Sequence, residues 1–261
     1  MAVMFAVTRS LLMGLCCIAL LPSMVIASSL TLVAEDDWYP YSAERQGEAR
    51  GISVDIVRAA YAAVGVDVSF KVMSYARCMQ LLDIGEEIGC FNTPADADIR
   101  EQQVLPEHAL DTNPAYIYVR GDHPYDAQTL AEHSGNVIGI VNGYRYGDVF
   151  MSDPQILREY SASDLQNLKK LAAGRLDYIV LYDRVARYLI GQYGDELGIN
   201  IKPVTLIGNI EIYVSFSRNH PDSERAKRQF DEGMSVLQKE GRYAKILNEW
   251  DKRLVYGMAA N

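Results

Sequence analysis

The stretch VDVSFKVMSYARCMQLLDIGEEIGCF, residues 66–91, carries the fold class. Val66 to Met73 alternates apolar and polar side chains as a half-buried strand does, Ser74 to Leu82 reads as a helix stopped at Gly85, and Ile88 to Phe91 is a short apolar strand. Upstream, Ser29 to Ala34 is another strand. Val54 to Val64, apolar at Ile56, Val57, Ala60, Ala63 and Val64, is a helix ended by Gly65. The sum is a β-α-β-α-β unit, and helical crossovers of this kind join parallel strands.

A second unit begins near Thr129 with a short helix. Strand Val137 to Val141, a glycine-containing turn at Asn142-Gly143-Tyr144 and strand Ile156 to Tyr160 follow. Helix Ser163 to Ala173 opens on a capping box, Ser163-Asp164-Leu165-Gln166, and ends at Gly174. Strand Tyr178 to Leu181, helix Arg184 to Gln192 and extended Ile201 to Val204 complete the unit. Two extended segments, Ala115 to Val119 and Ile212 to Phe216, bracket it, and helices Glu224 to Lys239 and Tyr243 to Trp250 close the chain. One α/β unit inserted into another predicts two lobes joined by two hinge strands: lobe 1 from residues 28–114 and 212–261, lobe 2 from 115–211, with hinges near 113–118 and 207–213. Open α/β sheets bind ligands beyond the carboxyl ends of their strands, so facing lobes enclose a cleft for a small solute.

The first 27 residues stand apart from both lobes. Ser10 to Ile26 is uncharged, follows Arg9, and closes in Val25-Ile26-Ala27 before two serines, the pattern of a secretory signal cleaved after Ala27. A membrane anchor is the alternative, but Leu11 to Leu21 is short for a bilayer span and Pro22 interrupts it. A lipoprotein signal is a lesser rival, because Cys16 and Cys17 follow Leu15 rather than a small residue. Cleavage takes the chain from 261 residues to 234 and, by removing Arg9, its net charge from −9 to −10. That acidity opposes a nucleic-acid partner. Of the four cysteines, Cys78 and Cys90 remain. In an oxidising compartment such an isolated pair reads as a disulfide at one edge of the first unit, with two buried free thiols the alternative.

Catalytic and cofactor signatures are scarce. His108, His123, His133 and His220 have no metal-ligand spacing, and Cys78 with Cys90 forms no C-x-x-C. There is no G-x-S-x-G elbow or phosphate loop, and Gly143-Tyr144-Arg145-Tyr146-Gly147 lacks the glycine spacing of a dinucleotide fingerprint. No catalytic residue, metal or cofactor is expected.

Four stretches in order resemble the bacterial family 3 periplasmic solute-binding proteins, the polar amino-acid receptors of ABC importers. They are Trp38-Tyr39-Pro40-Tyr41 after the first strand, Gly51-Ile52-Ser53-Val54-Asp55-Ile56 at a helix start, Gly174-Arg175-Leu176-Asp177 before a strand, and Gly241-Arg242-Tyr243-Ala244-Lys245-Ile246-Leu247 with Trp250. The resemblance implies an α/β, two-lobed type II binding fold, a monomer in the periplasm, a small polar solute as ligand and an ABC permease as partner. It also assigns roles. Trp38 and Tyr75 would place aromatic faces against the ligand, with core packing the alternative, and Asp36 in the same loop would accept an ammonium, with a plain exposed loop acid the alternative.

Two departures from the family pattern concern charge. The turn that usually holds the ligand carboxylate reads Asn92-Thr93-Pro94-Ala95-Asp96-Ala97-Asp98-Ile99-Arg100, about four residues longer than usual. Arg100 is then the clamp candidate with Asn92 and Thr93 beside it, Arg77 a second cation, and a plain surface arginine the alternative. The acid that would pair an ammonium falls at Tyr182, with Asp183 one position later. A one-residue shift in a strand turns the side chain to the other face, so either Asp183 swings in or the ammonium site is missing. Asn142, Gly143, Tyr144 and Arg145 form the lobe 2 turn, where Tyr144 and Arg145 would narrow the cleft. The resemblance leaves room for two other roles: an enzyme like the cyclohexadienyl dehydratases, and a sensory or accessory binding protein without a transporter.

Overall fold

The computed structural model describes residues 28–124 and 129–255. The signal segment, its cleavage point and the last six residues assigned to lobe 1 lie outside them. In chain order the elements are β1 (Ser28–Glu35), β2 (Asp37–Trp38), β3 (Ser42–Arg45), β4 (Glu48–Arg50), α1 (Ile52–Ala63), β5 (Val66–Met73), α2 (Tyr75–Asp83), β6 (Gly89–Pro94), α3 (Ala97–Gln102), β7 (Gln103–Val104) and β8 (Asp111–Arg120). A 3-10 turn, Leu130–His133, leads into β9 (Val137–Val141), α4 (Asp148–Ser152), β10 (Leu157–Ser161), α5 (Asp164–Ala172), β11 (Tyr178–Tyr182), α6 (Asp183–Leu197), β12 (Ile201–Ser217), α7 (Ser223–Lys239) and α8 (Arg242–Val255).

The main sheet runs β10-β9-β11-β8-β12-β6-β1-β5, with β7 added to β12. Its two ends are parallel, β5-β1-β6 in one lobe and β10-β9-β11 in the other, while β8 and β12 join them antiparallel. Strands covered by helices on both faces read as unbroken apolar runs, and β11 is buried at every position. The edge strand β5 alternates instead at its start, with Val66 and Val68 buried and Asp67 and Ser69 exposed. Helix α1 buries Ile52, Ile56, Val57, Ala60 and Tyr61. Gly233 lets α7 press against it: a Cβ there would lie 2.0 Å from the Ala60 carbonyl oxygen. The chain end returns to this lobe, where the Trp250 indole donates to Asp55 at 2.9 Å.

The predicted core elements match in order, and the departures have physical reasons. The extended segments at Ile201 to Val204 and Ile212 to Phe216 belong to one strand, β12, whose ladder with β8 is kept through shifts between Pro203 and Thr205 and between Leu206 and Gly208. Proline has no N–H to donate, and a bulge absorbs the missing bond. Helix α6 continues past Gln192 to a left-handed Gly198. Strand β6 extends to Pro94 because Thr93 and Pro94 still pair with Tyr213 and Ile212. The polar stretch after β1 is a small antiparallel sheet, β2-β3-β4. Its loop is tied to α1, as the Ile52 and Ser53 amides donate to the Pro40 and Tyr41 carbonyls at 2.8 and 3.0 Å. Gly51, at φ +143°, permits that approach, because a Cβ would meet the Tyr41 oxygen at 2.2 Å.

Cys78 and Cys90 are bridged, with Cα atoms 6.2 Å apart. Cys90 is the second residue of β6 rather than near its end, because the strand extends three residues beyond the predicted Phe91. The bridge packs with Val33, Tyr75 and Leu82 and so braces the wall that carries Tyr75. Thiol titration of denatured, unreduced protein lacking residues 1–27 should find none, and two free thiols would refute the bridge. Replacing both cysteines with alanine should cost about 3 kcal/mol in chemical denaturation.

Candidate functional site

The strand order brings the carboxyl ends of both parallel groups together. Glu35 ends β1, Asn92 and Pro94 end β6, Tyr182 ends β11, and the turn after β9 supplies Tyr144 and Arg145. Trp38 comes from the tethered loop and Tyr75 from the first turn of α2. These eight side chains line one cavity, and the open space left between them is about 10 Å³, room for a single water. The protein's own side chains fill its cleft.

Aromatic rings do most of the filling. Trp38 stacks on Tyr41 at 4.6 Å between centroids and meets Tyr182 and Tyr144 edge-on at 5.2 and 5.9 Å. Tyr75 meets Tyr144 at 6.3 Å, and Tyr182 stacks on Tyr146 at 5.8 Å. Polar atoms buried among the rings are poorly matched: the Trp38 indole nitrogen and both amide atoms of Asn92 have no hydrogen-bond partner, and the Tyr75 hydroxyl has only Thr93 nearby, short of full hydrogen-bond geometry. A buried polar group without a partner costs roughly 1–3 kcal/mol, which a ligand could recover. Asn92 is also held at φ +71°, where the β6-β12 register slips between Tyr213 and Val214. Left-handed backbone in a buried non-glycine residue is a strain that clusters at binding sites.

The ionisable groups around the cleft are mostly acidic, and burial favours the protonated form of Glu35 and Asp164. Tyr144 donates to the Glu35 carboxyl at 2.5 Å. Burial pushes Glu35 up to about 8; the Tyr144 bond acts against this, and the charges of Asp164, Asp36 and Asp37 add to it. Asp164, the first residue of α5, is pushed up to about 7 by burial and by Asp37, while the Trp38 indole N–H, short of full hydrogen-bond geometry, acts the other way. Asp164 and Asp37 line a second chamber of about 70 Å³ on the far side of Trp38, with Tyr39, Arg45 and Tyr188. Arg145 donates from Nε to Asp96 at 2.5 Å and also pairs with Asp98, so lobe 2 grips lobe 1 across the cleft. Further ties run from Arg45 to the Tyr188 hydroxyl at 3.0 Å, and from Arg184 to Asp251 at 2.8 Å and to Asp111.

Of the residues expected from sequence, Trp38, Tyr75, Asn92, Tyr144, Arg145 and Tyr182 come together at the cavity. Thr93 is buried beside it and shares a 2.8 Å hydrogen bond with Ser215. Arg100 is exposed, outside the lining, and donates to the Ala95 carbonyl at 3.1 Å, because α3 turns it outward. Arg77 is exposed on α2, and Asp36, Asn142 and Gly143 are exposed at the loop rims. Tyr182 faces the cavity and donates to the Arg145 carbonyl at 2.8 Å, whereas Asp183 starts α6, accepts from Tyr118 at 3.4 Å and pairs with Arg187. Sequence reading overlooked Glu35, Asp96, Asp98 and Asp164. Glu35 is the residue after the predicted strand, a position at the carboxyl end that could have marked it; Asp164 was absorbed into the capping box, where Ser163 accepts from the Gln166 amide at 3.3 Å.

The family model for bacterial extracellular solute-binding proteins, family 3, matches residues 30–253. No curated protein sequence matches the chain. Among solved structures, the fold is similar to an amino acid ABC transporter substrate-binding protein from Streptococcus pneumoniae, bound to L-arginine: 14% identity, 87% of this chain and 96% of that one covered, TM-score 0.72. It is similar also to a histidine kinase sensor domain at 21% identity, covering 86% and 96%, TM-score 0.72. A third likeness is to an ancestral amino acid-binding protein described as a precursor of cyclohexadienyl dehydratase, at 14% identity, covering 85% and 95%, TM-score 0.70.

The two buried acids give the ligand-free chain a defined pH dependence. Unfolded, Glu35 and Asp164 lose their protons near their ordinary values of 4.5 and 3.8; folded, they keep them until about 8 and 7. The folded state binds more protons in between, so stability should fall as pH rises from about 5 to 8. Chemical denaturation across that range should show the decline, and Glu35→Gln with Asp164→Asn should flatten it; an unchanged slope would contradict the burial of these carboxyls. Asn92→Gly, which suits φ +71°, should fold at least as stably while lacking the amide.

Proposed function

The chain belongs to the bacterial extracellular solute-binding proteins, family 3, and from that premise we propose that it is a periplasmic receptor, exported through residues 1–27. It captures a small polar solute between its lobes and delivers it to an ABC importer. The observation that carries this reading is the cavity itself, where unpartnered polar atoms of Trp38, Tyr75 and Asn92 converge with groups from both lobes. Walls drawn from two lobes are complete only when the lobes meet, so capture and closure are one event. Lobe 1 is residues 28–114 with 212–261, lobe 2 is 115–211, and closure pivots on 113–118 and 207–213, where β12 carries its second register shift. Trp38, Tyr75, Asn92, Tyr144 and Tyr182 contact the solute, and Arg145 with Asp96 and Asp98 latches the closed form. A neighbour that holds L-arginine and serves an ABC transporter supports a solute of amino-acid size and class.

One observation favours a second reading as an enzyme. A buried carboxyl held near 8 by burial, as Glu35 is, keeps its proton at neutral pH and can act as a general acid, and the likeness to a dehydratase precursor points the same way. Turnover of a bound compound would separate the two readings.

A thermal-shift screen of protein lacking residues 1–27 against amino acids, amines, organic acids and prephenate-like compounds should yield a stabilising hit. At a hundredfold excess over Kd, linkage stabilises by about 2.7 kcal/mol, roughly 5–10 °C for a chain of this size. Trp38→Ala should weaken that hit by about 1–3 kcal/mol with the fold kept. A screen with no hit, or loss of folding in Trp38→Ala, would count against the receptor reading or against Trp38 as a ligand contact respectively.

A further inference from the structure

The cleft offers a carboxylate no free guanidinium. Among the described residues Arg145 is the one cation in its lining, and its Nε and Nη2 are engaged by Asp96 and Asp98. Arg184 is engaged by Asp111 and Asp251 away from the cavity, and Arg77 and Arg100 are exposed outside its lining. Acidic side chains outnumber basic ones: Glu35 lies in the cavity, Asp96 and Asp98 hold Arg145, and Asp37 and Asp164 line the chamber beyond Trp38 with Arg45, which donates to the Tyr188 hydroxyl. A carboxylate entering here would meet isolated neutral donors but no guanidinium free to neutralise its charge, and its own charge would oppose ionisation of Glu35. A cation would meet aromatic faces on several sides and a buried carboxyl oxygen, the arrangement that binds ammonium groups most strongly.

We propose that the solute is a protonated amine lacking a carboxylate, received by Glu35 among the rings of Trp38, Tyr75, Tyr144 and Tyr182. This assignment rests on the receptor reading and narrows it. The Tyr144 hydroxyl that now donates to Glu35 must turn away when the ammonium takes its place, while the Asn92 amide and Tyr75 hydroxyl are free to meet polar atoms of the same solute. Two carboxyl sites on opposite sides of Trp38 make a short diamine the natural probe.

Binding should also release a proton. Glu35 is faced by Tyr144 from the lobe 2 turn, by Asp164 of α5, and by Asp36 and Asp37 of its own loop; these acids and burial keep it protonated without a ligand, and an ammonium beside it would ionise it. Affinity for an amine should therefore rise with pH up to about 8, where Glu35 ionises unaided.

The experiment is calorimetric titration of protein lacking residues 1–27 with 1,4-diaminobutane, glutamine, arginine and succinate, at pH 6, 7 and 8. The diamine should bind at least tenfold more tightly than the other three, gain affinity from pH 6 to 8, and lose at least tenfold in Glu35→Gln. That variant should be more stable than the parent at pH 8 when ligand-free, so the loss is not one of folding. Tighter binding of glutamine, arginine or succinate would overturn the amine assignment and leave the receptor reading intact. So would an undiminished Glu35→Gln affinity. Silence from all four probes would overturn the assignment and leave the receptor reading to the broader screen.

Discussion

Everything at the cleft depends on the antiparallel pairing of β8 with β12. One strand of 17 residues bonds to β8 along Ile201 to Ile212 and to β6 along Ile212 to Phe216, so the same backbone belongs to both lobes. That shared ladder fixes which strand ends face each other. It sets Glu35 and Asn92 opposite Tyr144 and Tyr182 although more than a hundred residues separate the end of β1 from the turn after β9. Strong backbone hydrogen bonds hold the register, and the shifts around Thr205 and Ile207 give the ladder the local twist and freedom that a fully regular strand would lack.

Given that frame, the cleft stores its own opposition to closure and its own reward for binding. Buried carboxyls, unpaired polar atoms and a left-handed Asn92 are all unfavourable in the ligand-free protein, and the ion pairs of Arg145 with Asp96 and Asp98, one side of which is exposed, contribute modestly against them. In the proposed receptor, a solute that satisfies the polar atoms and lets the buried carboxyls ionise shifts the balance toward a closed, filled state. Under that proposal, selectivity follows from which charge the cleft lacks rather than from its shape alone.

The fold was legible because its signals are local. Alternation in Val66 to Met73, a Gly65 stop and a capping box at Ser163 each report on a few neighbouring residues, and parallel order follows from helical crossovers. The two bracketing segments were legible as extended chain, and they lie in β8 and β12. What escaped was set by long-range pairing: β12 continues through Pro203 because β8 lies beside it, and the loop after β1 forms β2-β3-β4, tied down where the α1 amides donate to its carbonyls. Trp38, Tyr75, Asn92, Tyr144 and Tyr182, which line the cavity, stood out in the sequence because rings and amides near strand ends are conspicuous. Arg100 was favoured as a clamp because an arginine after a proline turn looks like one, but α3 points it outward, and Arg145 across the cleft takes up Asp96 and Asp98. Glu35 and Asp164 were missed because an acid next to a strand or in a helical first turn looks ordinary until its burial is known.

The proposed function requires that a solute enter the space between the two sets of strand ends and displace the contacts the protein makes there with itself. A crystal structure of the protein with its most stabilising solute tests this most directly. It should show the solute against Trp38 and Tyr182, hydrogen-bonded to the Asn92 amide, with the Tyr144 hydroxyl moved off Glu35. A solute bound elsewhere, with the Tyr144 to Glu35 hydrogen bond intact and the cavity still filled, would contradict it.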